Sequence, residues 1–199
     1  MRAFARASAA RIGFDGQRHF AGTTAGGEAI ARTAQGDWDG TLVSAAGGFS
    51  YEARMGRVTL RPAASVDYYR LKEEGYAETG GGAAFNLIVS RRTSDELAAD
   101  ATLSVGYDLG SLKPDEGWFR VELEGGRRQI LGGELGDTVA RFGTGPAFTL
   151  EPEDRTNGWV GRVRLLGGNE DFRIGGEFAA EEQQGRAALA GRASLLVGF

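Results

Sequence analysis

From Ala187 to Phe199 the odd positions read Ala187, Leu189, Gly191, Ala193, Leu195, Val197 and Phe199, and Arg192 and Ser194 fall between them. A repeat of two places successive side chains on opposite faces, so this stretch predicts a strand with one apolar side. Two segments before it behave alike. Phe172, Ile174, Gly176, Phe178 and Ala180 alternate with Arg173 and Glu177, and Trp159, Gly161, Val163 and Leu165 alternate with Arg162 and Arg164. Short polar connections at 167–171 and 181–186 join the three into a predicted meander.

The pattern recurs upstream, over 119–125, 97–109, 85–89, 58–68 and 43–51, and more weakly over 138–150 and 2–14. That makes roughly ten strand candidates, in the range of single-chain outer-membrane barrels. No stripe of 3.6-residue period competes with them. Residues 22–40 are rich in Gly, Ala and Thr and are expected to form one long loop. No linker divides the chain, so residues 1–199 are read as one domain.

Composition changes the picture in three ways. The 199 residues carry a net charge of −4 and no basic stripe, which excludes nucleic acid as an expected partner. Cysteine is absent, which removes disulfides and Cys-based metal sites. Mean hydropathy is −0.28, and no apolar run approaches the ~18 residues of a membrane helix. A membrane barrel escapes that test, because its strands show one face to lipid and the other to water. Residues 1–20 carry scattered arginines and lack the apolar stretch of a secretory signal.

Alternation also suits a soluble carrier barrel of the lipocalin kind, with apolar side chains inside. Three features favour the membrane. The polar rows are dense in charge, with Arg162 and Arg164 together and Arg120 near Glu122 and Glu124. The apolar rows mix Ala and Gly with Leu and Val, which lipid tolerates but a soluble core, packed to high density, does not. Aromatic residues such as Tyr68, Tyr107, Trp118 and Trp159 stand near strand ends, as interfacial girdles do. The expected fold is therefore all-β, an antiparallel up-and-down transmembrane barrel. Its predicted lumen-facing residues are Arg61, Asp67, Asp100, Arg120, Glu122, Arg162, Arg164, Glu177 and Arg192. Replacing Val163 or Leu195 by Arg is expected to cost about 2–4 kcal/mol near mid-membrane, and Arg164→Ala little.

The run YYRLKEEGYAETGG from Tyr68 to Gly81 resembles a segment of the autotransporter β-domain. There an aromatic strand end is followed by an acidic, glycine-bearing turn, matched here by Glu74, Gly75, Tyr76, Glu78 and Gly80. LRPAASV from Leu60 to Val66 resembles the stretch before it, and LLVGF, ending at Phe199, resembles the last strand that the barrel-assembly machinery reads. The resemblance runs from about Asp37 to Phe199. It implies a barrel of roughly twelve strands, a linker helix in the pore and an upstream passenger, exported by type V secretion across a Gram-negative outer membrane. Outer-membrane lipid, the assembly machinery and a passenger in cis are the implied partners, with Phe199 as the assembly signal. The pore helix, the first strands and the passenger have no counterpart in this sequence, so the chain is expected to be an N-terminally truncated barrel, about ten strands of twelve. Counting back from Phe199 puts the turn at 55–56 on the periplasmic side, and 22–40, 72–82 and 181–186 outside. Residues 124–137 then make an unusually long periplasmic connection. Alternatives are a porin-like or structural barrel without passenger and the soluble carrier.

No catalytic constellation emerges. His19 is the single histidine, expected in a solvated outer loop, and no G-x-S-x-G elbow occurs. The stretch GTGP from Gly143 lacks the Lys-Ser/Thr of a phosphate loop. Glu151, Glu153 and Asp154 read as a solvated acidic loop rather than a calcium site. Some autotransporters cleave their passenger with acids inside the barrel, but Asp67, Asp100, Glu122, Glu124 and Glu177 read as lumen ion pairs. No enzyme, cofactor or metal is expected.

Overall fold

The computed structural model describes all residues but 24–25, 111–116, 170, 184 and 199, and only the backbone of Gln183. The chain is all-β, with no helix among the described residues. Thirteen strands follow in order: β1 (Arg2–Thr23), β2 (Ala29–Ser50), β3 (Ala53–Met55), β4 (Val58–Glu73), β5 (Tyr76–Ala77), β6 (Leu87–Val89), β7 (Arg92–Gly110), β8 (Trp118–Gly132), β9 (Thr138–Phe142), β10 (Ala147–Leu150), β11 (Gly158–Gly168), β12 (Phe172–Gln183) and β13 (Arg186–Val197).

Eight long strands pair antiparallel as β1-β2-β4-β7-β8-β11-β12-β13, with short β3 extending the β2 side of β4. This is an up-and-down wall curled into part of a barrel. Gly56, at φ 61°, makes the tight turn between β3 and β4, a backbone state that a Cβ would strain. A second sheet, β10-β9-β6-β5, stands at the opposite end of the wall from that turn. The wall thus has a turn end and a loop end. The outer edges of β1 and β13 pair with no other strand among the described residues.

Along β4 the positions facing away from Asp67 run Val58, Leu60, Pro62, Ala64, Val66 and Tyr68. Ten residue steps at about 3.3 Å, tilted by ~40°, span about 25 Å, the height of the apolar band of a membrane barrel. β1 and β2 are 22 residues each, so their loop-end halves project beyond such a band.

The structure revises four expectations. Residues 22–40 are not a long loop: β1 runs to Thr23 and β2 starts at Ala29, closing a hairpin near 26–28. Residues 85–89 and 138–150 are strands, but they build the second sheet rather than the wall. Ten candidates therefore reduce to eight wall strands. Residues 124–137 are not a turn-end connection, since β8 continues to Gly132 and emerges at the loop end. The two displaced segments cancel in the count, so 55–56 still lies at one end and 72–82 and 181–186 at the other.

Candidate functional site

Register fixes which residues share a row. One row crosses the wall as Arg54, Thr59, Gly106, Glu122, Arg164, Glu177 and Arg192. The next row outward in height, one residue along, reads Leu60, Val105, Leu123, Val163, Phe178 and Gly191. Alternation along each strand thus becomes two continuous surfaces, one charged and one apolar.

The charged surface is the concave one. Arg61 on β4 reaches Glu122 on β8 at 2.6 Å, across β7. Arg128 on β8 comes within 4.0 Å of Asp67 on β4, again across β7, and Arg6 on β1 reaches Asp67 at 3.3 Å across β2. Neighbouring strands lie about 4.8 Å apart, so side chains bridge two spacings only where the sheet curls toward them. A cavity of about 680 Å³ on this side is lined by Arg6, Asp67, Asp100, Arg128, Arg162 and Glu181, among others.

Arg164 is the hub. Its guanidinium meets Glu177 at 2.6 Å, Glu122 at 2.5 Å and Glu124 at 3.0 Å. Arg162 joins Glu124 at 2.9 Å and Glu181 at 3.1 Å, and Ser104 donates to Glu124 at 2.8 Å. Nearer the turn end, Asp108 holds Arg120 at 2.6 Å and Arg54 at 2.7 Å. Nearer the loop end, Arg128 holds Asp100 at 2.8 Å and Glu96 at 2.9 Å. Arg192 lies in register with Glu177 on β13, exposed and without an ion partner among the described residues. All nine residues singled out in the sequence therefore sit on the concave side. Because Arg164 holds three carboxylates, its loss is expected to matter more than the sequence suggested.

The convex surface has the opposite character. Leu123 is 56% exposed, Leu103 49% and Phe178 53%, while the buried hydrophobic residues among those described are all alanines: Ala34, Ala46, Ala98, Ala140 and Ala179. A soluble carrier would hold its leucines and phenylalanines on the concave side; here that side holds ion pairs.

At the loop end, β1 and β2 turn their inner face to the second sheet. Phe14, Trp38 and Tyr76 stack with centroids 5.3 and 4.3 Å apart, and Phe20 packs on Phe85 at 4.9 Å. Gly36 permits this: a Cβ there would come 2.7 Å from the Tyr76 ring. Arg18 grips Glu78 at 2.6 Å, and the Leu87 amide donates to the same carboxylate at 2.8 Å. Burial alone would raise the Glu78 pKa, but these bonds outweigh it and hold it below the usual glutamate value. Burial raises that of Tyr76. His19 is on β1, not in a loop, with Nδ1 2.9 Å from Thr33 Oγ1. The acidic run at 151–154 is exposed in the β10–β11 connection, and no cluster of metal-ligating geometry occurs among the described residues.

Residues 2–167 match the profile of the autotransporter β-domain. The chain belongs to the autotransporter β-domain family. The match starts earlier than the sequence resemblance, taking in β1, and stops before β12 and β13. A stretch of 89 residues is 27% identical to the ferrichrome outer membrane transporter/phage receptor of Escherichia coli (strain K12), covering 41% of this chain and 12% of that protein's length. This autotransporter domain is a protein of the bacterial outer membrane.

Sequence reasoning missed several charged residues of the domain's concave face. Asp108 was legible in principle, since it shares a face of β7 with Ser104 and Gly106, alternating with Val105 and Tyr107, and faces Arg120 in register. Arg128 carried the same period-two signal, in phase with Glu122 and Glu124, whereas Arg6 stands in phase with Phe4, Ile12 and Phe14 and did not. Arg155 carried none: it lies in the β10–β11 connection and reaches back to Glu96 at 3.1 Å and to the Gly133 carbonyl.

Proposed function

We propose that this domain is the translocator of an autotransporter, anchoring in the outer membrane and serving as conduit for a passenger N-terminal to it. The observation that carries the reading is the inverted polarity of the wall. Arg61, Asp67, Asp100, Arg120, Glu122, Arg162, Arg164, Glu177 and Arg192 line a wet bore, and the leucine and valine rows meet lipid. A charged lining does not collapse on a passing chain and offers it exchangeable hydrogen bonds. The loop end faces the exterior, in keeping with short periplasmic turns and long outer connections. The free edges of β1 and β13 call for further strands, because unpaired backbone groups in hydrocarbon cost several kcal/mol each. The domain is therefore incomplete as a barrel by itself. Phe199, outside the described residues, is the residue the barrel-assembly machinery reads.

No chemistry is assigned. Glu122, Glu124 and Glu177 are each held by an arginine, which supports a lining role over cleavage of the passenger. The test is protease shaving of intact cells making the full-length protein. Upstream sequence should be cut at the cell surface while the wall stays protected. An inserted, protected wall with its upstream sequence retained inside would instead support a barrel without passenger.

A further inference from the structure

Above the apolar band, on the convex side at the loop end, the wall carries cations that form no ion pair among the described residues. On β4 the outward series passes from Val66 and Tyr68 to Arg70 and Lys72, and the neighbouring Arg91 and Thr93 lie beside them at the start of β7. Arg70, Lys72 and Arg91 are exposed and have no ion pair or hydrogen bond among the described residues. On the concave face, by contrast, arginine after arginine is clasped by a carboxylate. The three line one concavity of about 630 Å³ with Thr41, Thr93 and Glu74, where the Arg92–Glu73 pair is already closed at 2.5 Å. Glu74 is the single unpaired acid in that lining, and Asp95, opposite Arg70 in register, makes no ion pair with it.

Depth sets what such a site meets. Tyr68, one step below Arg70, is an aromatic at the edge of the band. Farther round the wall, Arg127 lies outward with its guanidinium 5.2 Å from the Trp159 ring centroid, an arrangement suited to the lipid interface. The turn-end rim differs. It carries Tyr107, Phe119 and Phe172, and Arg57 there is turned onto the carbonyls of Asp108 and Gly110. Cations at headgroup height, gathered in a concavity and forming no ion pair with the nearby Glu74 or Asp95, suit phosphate oxygens.

We propose that Arg70, Lys72 and Arg91 bind the phosphate groups of a phosphorylated outer-leaflet lipid. The site holds that lipid against the convex face of β4 and β7. It rests on the face assignment proposed above, but not on passenger export.

The test uses the full-length protein in phosphatidylethanolamine vesicles containing lipopolysaccharide, with insertion scored by heat-modifiable gel mobility. Retained lipid is counted by native mass spectrometry after mild detergent extraction. The triple variant Arg70→Ser, Lys72→Ser, Arg91→Ser should insert and retain about tenfold less lipopolysaccharide. The double variant Arg70→Lys, Arg91→Lys should retain it like the parent. Lipopolysaccharide stripped of its phosphates should be lost from the parent as well. Equal retention by the triple variant, or equal retention of the dephosphorylated lipid by the parent, overturns the proposal. Val163→Arg separates the two readings. If it inserts as well as the parent, the face assignment falls; if it fails to insert while the triple variant inserts and keeps its lipid, the phosphate site alone falls.

Discussion

The wall and the sheet at its loop end use the same residue types to opposite ends. In the wall, Leu123, Val163 and Phe178 point away from every other strand, and arginines and carboxylates meet across the concavity. In the loop-end sheet, Phe14, Trp38, Tyr76, Phe20 and Phe85 turn toward one another, and the Arg18–Glu78 pair sits at their margin. The first arrangement holds where hydrocarbon lies outside. The second is the ordinary solution in water, where apolar rings gain by leaving solvent. One chain thus changes its rule for side-chain placement within a single strand: β2 follows the wall's rule from Val43 to Phe49 and the other at Trp38 and Gly36.

This contrast can be broken most severely on the convex face. Val163→Arg or Leu123→Arg should cost about 2–4 kcal/mol, measured as the urea midpoint of the full-length barrel in vesicles, because each places a cation at mid-band. No comparable loss would place the apolar rows away from lipid. Next comes Arg164→Ala, which leaves Glu177 without its arginine while Glu122 keeps Arg61 and Glu124 keeps Arg162, and should cost about 1–3 kcal/mol in the same assay. Adding Glu177→Gln should recover part of that loss, since the carboxylate that Arg164 alone held goes with it.

Gly36→Ala should act on the loop-end sheet alone. Its methyl overlaps the Tyr76 ring, at a cost of about 1–2 kcal/mol. Protease sensitivity at 74–91 should rise while vesicle insertion stays at the parental level. Acid distinguishes the regions more gently. The folded Glu78 pKa is depressed, so its contribution is complete at neutral pH and is lost as pH falls below the ordinary glutamate value of about 4.3. Trp38 fluorescence should report loosening of the stack in that range, and Glu78→Gln should remove this dependence. The smallest effect is expected at Arg192, which has a place on the concave face but no ion partner among the described residues: Arg192→Ala should stay within about 0.5 kcal/mol.

The wall was legible in the sequence because lipid on one side and water on the other write a strict alternation. Where that boundary ends, so does the signal. Residues 22–40 read as loop on their Gly, Ala and Thr content, and the apolar phase there (Ala34, Gly36, Trp38) is opposite to that of Val43 and Phe49; that part of β2 projects beyond the band, with a packed sheet inside and water outside. Phe85–Val89 and Phe148–Leu150 alternate well enough to pass for wall strands, since period two reports a half-buried strand and not what covers it. The concave face was readable residue by residue, but its pairing was not. That Arg164 gathers three carboxylates follows from register and curvature together, and Arg155 joins from a connection with no period at all.

The two free edges carry one more consequence. Eight antiparallel ribbons leave β1 and β13 running in opposite directions. Any set of ribbons that spans the gap while keeping every neighbour antiparallel must then be even in number: none, two or four. A single added ribbon would lie alongside one edge in the same sense as its chain and spoil the ladder there. Closure of this molecule is thus a matter of arithmetic before it is a matter of sequence.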